Sequence, residues 1–189
     1  MTKDKRAKRS RVVALATIGI LLCLPACSMD DREPNWEKYA DWRERNQAYV
    51  DSVIDVKDEN GEPYYTMLIP DWAPEAYALV RWHNDTMQTC NNLVPMDNSS
   101  VEMTYELFDI DGKAVSNSFA NPDSIYYTQP QKNITGVWYP LTRMHVGDSV
   151  TIVMPSQSGY GAREYAGIKP YSALIYNIKL KAVKKYEIE

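Results

Sequence analysis

Phenylalanine, histidine and cysteine are scarce in this chain of 189 residues, at two, two and three. His83 and His145 are the only histidines, and neither has a second ligand at metal spacing, so no metal is expected. No G-x-S-x-G, phosphate loop or dinucleotide fingerprint occurs. That removes the common hydrolase, nucleotidase and nicotinamide-dependent classes and leaves no cofactor to expect. The acidic residues are scattered over loops and strand exteriors, without a convincing acid/base pair. What is plentiful is the other aromatics: 14 Tyr and 5 Trp.

The N-terminus has its own character. Lys3, Lys5, Arg6, Lys8, Arg9 and Arg11 form a basic stretch, and residues 12–24 are an apolar run too short to cross a bilayer comfortably. The run ends in Leu24-Pro25-Ala26-Cys27, which resembles the lipobox of bacterial lipoproteins. The resemblance implies a signal peptide over 1–26, lipidation of Cys27 (palmitate among the acyl groups) and a polar tether over 27–34. A transmembrane helix is the alternative. Ser28-Met29-Asp30-Asp31 resembles a signal for display on the cell surface, so the expected location is the cell envelope, lipid-anchored at the outer membrane. Cleavage removes six of the 21 Lys and Arg and one of the 25 Asp and Glu, leaving 15 against 24, about −9. No basic stripe remains for nucleic acid. Cys90 is then the one cysteine without a role in the leader, so no internal disulfide can form; it reads as a small, buried or half-buried apolar residue.

Asn35 is a candidate N-cap for a helix over 35–54, with Tyr39, Trp42, Asn46, Tyr49 and Val53 spaced by three or four. Such a stripe packs on the domain or forms a dimer seam or partner surface. Residues 58–63 form a turn that opens a domain over 60–186. Strands are expected at 64–69, 79–83, 101–107, 113–119, 149–154 and 173–180, with a hairpin turn at Asp111-Gly112. Part of residues 71–100 reads as an insertion, with 90–100 having the Asn, Ser and Pro content of a loop. Pro140 suits the first turn of a short helix that carries Leu141, Met144 and Val146 and ends at Gly147-Asp148. Four Asp-Ser/Thr-apolar triplets, at Asp51, Asp85, Asp123 and Asp148, resemble bacterial O-glycan acceptors.

Six pieces in order carry a wider resemblance: Ile134-x-Gly136, Met144-x-Val146-Gly147, Ile152-x-Met154-Pro155-Ser156, Tyr160-Gly161, Gly167-Ile168-x-Pro170 and Leu174-Ile175-Tyr176. Together they resemble the C-terminal half of FKBP-type peptidyl-prolyl cis-trans isomerases, and 101–115 resembles an earlier strand-turn-strand of the family. The fold this implies is α+β: an FKBP-like twisted antiparallel sheet of about five strands wrapped on one short helix, with an extra N-terminal helix.

The resemblance also implies a site. Tyr160 matches the tyrosine whose hydroxyl binds the substrate carbonyl; Tyr105 and Tyr176 match two further pocket aromatics. Ile134 and Ile168 match substrate contacts. Three positions depart: Val115 and Ser116 stand where the family has Phe-Asp, and Val137 stands where it has the tryptophan of the pocket floor. Trp138 is one position away, turned by about 100° in a helix. The alternative is that these tyrosines are simply core. The implied partners are proline-containing peptides or unfolded envelope proteins. Three functions follow: an isomerase-like folding helper of weak activity, a non-catalytic peptide- or protein-binding lipoprotein in an outer-membrane assembly, and a structural lipoprotein without ligand.

Overall fold

Strand alternation governs the described part of the chain, residues 35–184 of the computed structural model. The leader, the tether and Cys27 lie outside the described residues, as do 185 and 186 of the expected domain. In order come α1 (Ala40–Ile54), β1 (Thr66–Leu68), β2 (Ala78–Trp82), β3 (Val101–Phe108), β4 (Ala114–Asn117), β5 (Tyr126–Thr128), α2 (Thr135–Leu141), β6 (Ser149–Met154) and β7 (Leu174–Val183). All pairings are antiparallel, in the order β1-β2-β6-β7-β3-β4, with β5 also on β3. The sheet thus has seven strands rather than about five; β1 falls within the expected 64–69, and the strand without an expected counterpart is β5, three residues long.

One edge of β3 is covered by β7 along its whole length, while the other is shared. β5 pairs Val101 to Met103, and β4 pairs Glu106 to Phe108. In the gap the backbone N–H of Tyr105 donates to Ser118 Oγ at 3.1 Å, so the ladder is completed by a buried hydroxyl. β4 ends sooner than the expected 113–119 because the Asn117 side chain accepts from Ala120 N and turns the chain into a 3-10 helix.

Both faces of the sheet are covered. Val150, Ile152 and Met154 alternate onto the α2 side, where they join Val80, Met103, Leu141, Leu174 and Ile178 in the main core. Val153 and Leu79 face the other way and pack with Val50 and Val53 of α1. This is why β6 reads as buried on both faces from Ile152 onward. α2 lies close to β6, and a Cβ on Gly136 would collide with the Met154 side chain; glycine permits that approach.

Several expectations are corrected. α1 begins at Ala40, not Trp36: the Asn35 amide donates to Ala162 O at 3.0 Å instead of capping, and residues 35–39 form a turn. Its buried positions are Asn46, Val50 and Val53, with Trp42 half-buried. Pro140 is the sixth residue of α2, not its first turn; the helix starts where Val137 and Trp138 N–H both reach Ile134 O. Met144 and Val146 follow the helix. Cys90 is exposed, not buried or half-buried, and its Sγ donates to Met87 O at 3.2 Å.

The insertion is tied down by Asp148, whose side chain has no exposed surface. It accepts from Thr89 Oγ1 (2.6 Å), Asn84 Nδ2 (2.9 Å) and His145 N (2.8 Å). Burial, the largest single effect, raises its pKa, but these hydrogen bonds together outweigh it and the net shift is downward. The same bonding makes Asp148-Ser149-Val150 part of the core scaffold.

Candidate functional site

Five tyrosines close one cleft of about 300 Å³. Tyr105 stands on β3 and Tyr176 on β7, facing the same side because Leu107 pairs Tyr176 and Tyr105 pairs Ile178. Their ring centres are 5.9 Å apart. Tyr126, at the start of β5, meets Tyr105 edge-on at 5.2 Å. Tyr160 follows the 3-10 turn after β6 and stacks on Tyr165 at 4.3 Å with the planes 14° apart. Ile134, Val137, Val115, Ser116 and Ile168 complete the lining, with Asn133 at the mouth. The eight pocket positions named from sequence therefore come together in space.

The polar groups in the cleft are neutral. Tyr105 and Ser116 share a hydrogen bond of 2.9 Å. Tyr160 and Tyr176 share another, and burial raises both phenols above their ordinary range, more so at Tyr176. Both hydroxyls stay protonated through neutral pH and can donate. Among the described residues no carboxylate or ammonium lines the cleft. Val137 is buried at the floor, while Trp138 points away, its indole N–H donating to Asp97 and its ring 5.1 Å from that of Trp72.

Tyr126 and Tyr165 were not among the sequence candidates. Tyr126 lies between the expected strands 113–119 and 149–154, on a strand of three residues. Tyr165 had a signal: Ala166-Gly167 follows it, and a two-residue turn there sets Tyr165 beside Ile168. In the structure Tyr165 and Ile168 exchange backbone hydrogen bonds of 3.1 and 2.8 Å, and both turn residues have positive φ, 46° at Ala166 and 83° at Gly167. Alanine is strained there, so the rim is held in place by the surrounding contacts.

His83 and His145 serve the scaffold, His83 Nε2 on Thr151 Oγ1 and His145 N on Asp148. Among the described residues no group of three His, Cys, Asp or Glu could hold a metal. A larger groove of about 660 Å³ lies between α1 and residues 155–162, with Arg43, Glu44, Asn46 and Gln47 among its lining. The cleft, smaller and ringed by aromatics, is the better candidate.

Residues 92–181 match the sequence pattern of the family described as FKBP-type peptidyl-prolyl cis-trans isomerase. A peptidyl-prolyl cis-trans isomerase from Pseudomonas syringae pv. tomato superposes with a TM-score of 0.60 at 20% identity, over 78% of this chain and 96% of that one. FkpA from Escherichia coli gives a TM-score of 0.62 at 20% identity, over 78% of this chain and 63% of FkpA. The fold is FKBP-like. No curated protein sequence matches the chain. Within the FKBP-like frame the matched segment runs from the insertion to β7, so it holds every cleft residue named above and leaves out α1, β1 and β2.

Proposed function

We propose that the chain is a peptidyl-prolyl cis-trans isomerase-like folding helper of weak activity. It acts on proline-containing stretches of unfolded envelope proteins and is held in the cell envelope by lipid at Cys27. One observation carries the catalytic part: five tyrosines enclose an uncharged cleft inside the segment that matches the isomerase family.

The chemistry asks for no nucleophile. The barrier is amide resonance, about 18–20 kcal/mol, and X-Pro isomerisation takes tens to hundreds of seconds uncatalysed. Aromatic walls take the amide out of water, which had favoured the polar planar form. The Tyr160 hydroxyl then donates to the carbonyl as the bond twists, a dipole already in position before the reaction starts. Activity is weak because the floor is Val137 rather than an indole, and because Ser116 gives Tyr105 a neutral partner where the family has a carboxylate. A wider floor admits water, and water restores the planar ground state.

The same two departures favour a second reading, a non-catalytic FKBP-like peptide- or protein-binding lipoprotein in an outer-membrane assembly. Isomerisation of a short X-Pro peptide, followed by NMR exchange, separates them. The expected turnover is measurable and at least tenfold below a family member with the full pocket, equivalent to about 1.4 kcal/mol of transition-state stabilisation. Peptide shifts at the cleft without exchange would favour the binding module; full family-level turnover would overturn the weak-activity reading. Mass spectrometry of the envelope protein tests the anchor: a lipid-bearing Cys27 at the N-terminus is expected, and an unmodified Cys27 would overturn it.

A further inference from the structure

The cleft does not end at its own rim. Val115, Ala166 and Ile168 line it, and the same three residues line a second groove of about 330 Å³ on their far side. That groove runs between the β3–β4 hairpin and residues 166–172, and its end wall is Trp42 of α1. α1 lies outside the segment that matches the family's sequence pattern. Several contacts fix it there. Trp42 Nε1 donates to Ser172 Oγ at 3.0 Å, the buried Asn46 side chain accepts from Ala173 N at 2.8 Å, and Arg45 pairs with Asp111 at 2.7 Å.

Resting on the cleft reading above, we propose that cleft and groove form one track for an extended polypeptide. The X-Pro bond sits among the tyrosines, and the flanking residues cross the Ala166-Gly167 turn into the groove beside Trp42. Width supports this: at the partition stand Val115 and Ala166, both small enough for a backbone to pass over. Chemistry sets the preference. Asp109 Oδ1 is spent on the N–H groups of Asp111 and Lys113, and Asp111 faces Arg45. Lys113 is exposed and makes no ion pair among the described residues; Lys169 lies over the Trp42 ring at 4.6 Å. The two ammonium groups favour a carboxylate on the residues that leave the cleft.

The experiment compares peptides on the 15N-labelled full chain. One is a capped tetrapeptide centred on X-Pro; the other has the same centre extended by four residues on each side, with Glu or with Lys in the flanks. The short peptide is expected to move amides near Ile134, Tyr160 and Ile168 only. The long one should also move those of 111–114 and Lys169 and bind at least tenfold tighter, the Glu form about twofold to fivefold above the Lys form, as for an exposed ion pair. Ala114→Trp should bring the long peptide down to the affinity of the short one. Lys113→Glu, a change at an exposed position, should reverse the Glu/Lys order. Shifts confined to the cleft with both peptides, at equal affinity, would overturn the track and leave the cleft reading intact. Groove shifts without cleft shifts would overturn the cleft reading and the single track with it, as would no shifts with any peptide.

Discussion

The two faces of the sheet are built to different depths. On the α2 side a continuous core runs from Ala78 to Leu180 and opens at one end into the tyrosine cleft. On the α1 side the buried apolar set is five residues, Val50, Val53, Leu79, Val153 and Ala173, edged by half-buried tyrosines. The deep face holds the fold together and shapes the site; the shallow face fastens a helix that reaches round to the loop behind the site. A substitution in the first should cost stability, and one in the second should loosen an attachment. The largest expected effect is therefore Ile152→Ala, about 2–5 kcal/mol for a buried large aliphatic truncated to methyl, seen as a lowered midpoint in urea with an unchanged slope. A loss below 1 kcal/mol would break the contrast.

Next comes Asp148, which anchors the insertion to the foot of β6. Asp148→Asn keeps the shape but loses the charge that its three donors are aimed at, and should cost about 2–3 kcal/mol at pH 7. The sign with pH follows from the downward shift. The folded protein binds the proton more weakly than the unfolded chain, so this contribution is complete above pH 4 and is lost as pH falls through the depressed folded value. Wild type and Asp148→Asn should converge in stability toward pH 2. Parallel curves down to pH 2 would mean the carboxylate is not the anchor.

On the shallow face, Val50→Ala should cost about 1.5–2.5 kcal/mol, two buried carbons' worth of transfer plus the cavity. It should leave tetrapeptide binding in the cleft unchanged, since Val50 touches none of the cleft residues. A fall in that binding would show that α1 shapes the cleft itself as well as the groove.

How much of this could be read from residues follows the same division. Strands β3, β6 and β7 were legible because one residue in two is apolar over six residues or more, a local signal. The expected 149–154 coincides with β6. Within 71–100 the strand at 79–83 was legible, but the loop around Asn84 and Thr89 was not, because its order depends on Asp148, 64 and 59 residues away, which collects side chains of no particular pattern. The start of α1 was misplaced for a related reason: Asn35 has good capping chemistry, but its amide is claimed by Ala162 across the fold. In the cleft, positions carried by a resemblance were found, whereas Tyr126 and Tyr165 depend on an edge strand of three residues and a strained turn, which propensity does not favour. Val50 stands outside the aromatic stripe, and the buried line of the helix runs one residue to the side, through Asn46, Val50 and Val53.

The smallest expected effect is the one closest to the proposed chemistry, Tyr160→Phe. The ring stays, so the stack on Tyr165 and the aromatic wall survive, and one hydroxyl is lost. Where water can partly take its place, a neutral hydrogen bond is worth about 0.5–1.5 kcal/mol net, so exchange should slow about twofold to tenfold with peptide affinity nearly constant. The deletion also leaves the Tyr176 hydroxyl without its partner, and that could lower stability without touching catalysis. Tyr176→Phe separates the two. It breaks the same hydroxyl pair from the other side but leaves Tyr160 free to donate, so it should match Tyr160→Phe in urea and keep the wild-type rate. In the wild type, burial holds both phenols above their usual range, so the rate should stay flat to pH 9 and be lost only above pH 10, together with the fold. Equal slowing by both variants would assign the hydroxyl pair to structure alone. A slowing confined to Tyr160→Phe would put the donor at the twisting carbonyl.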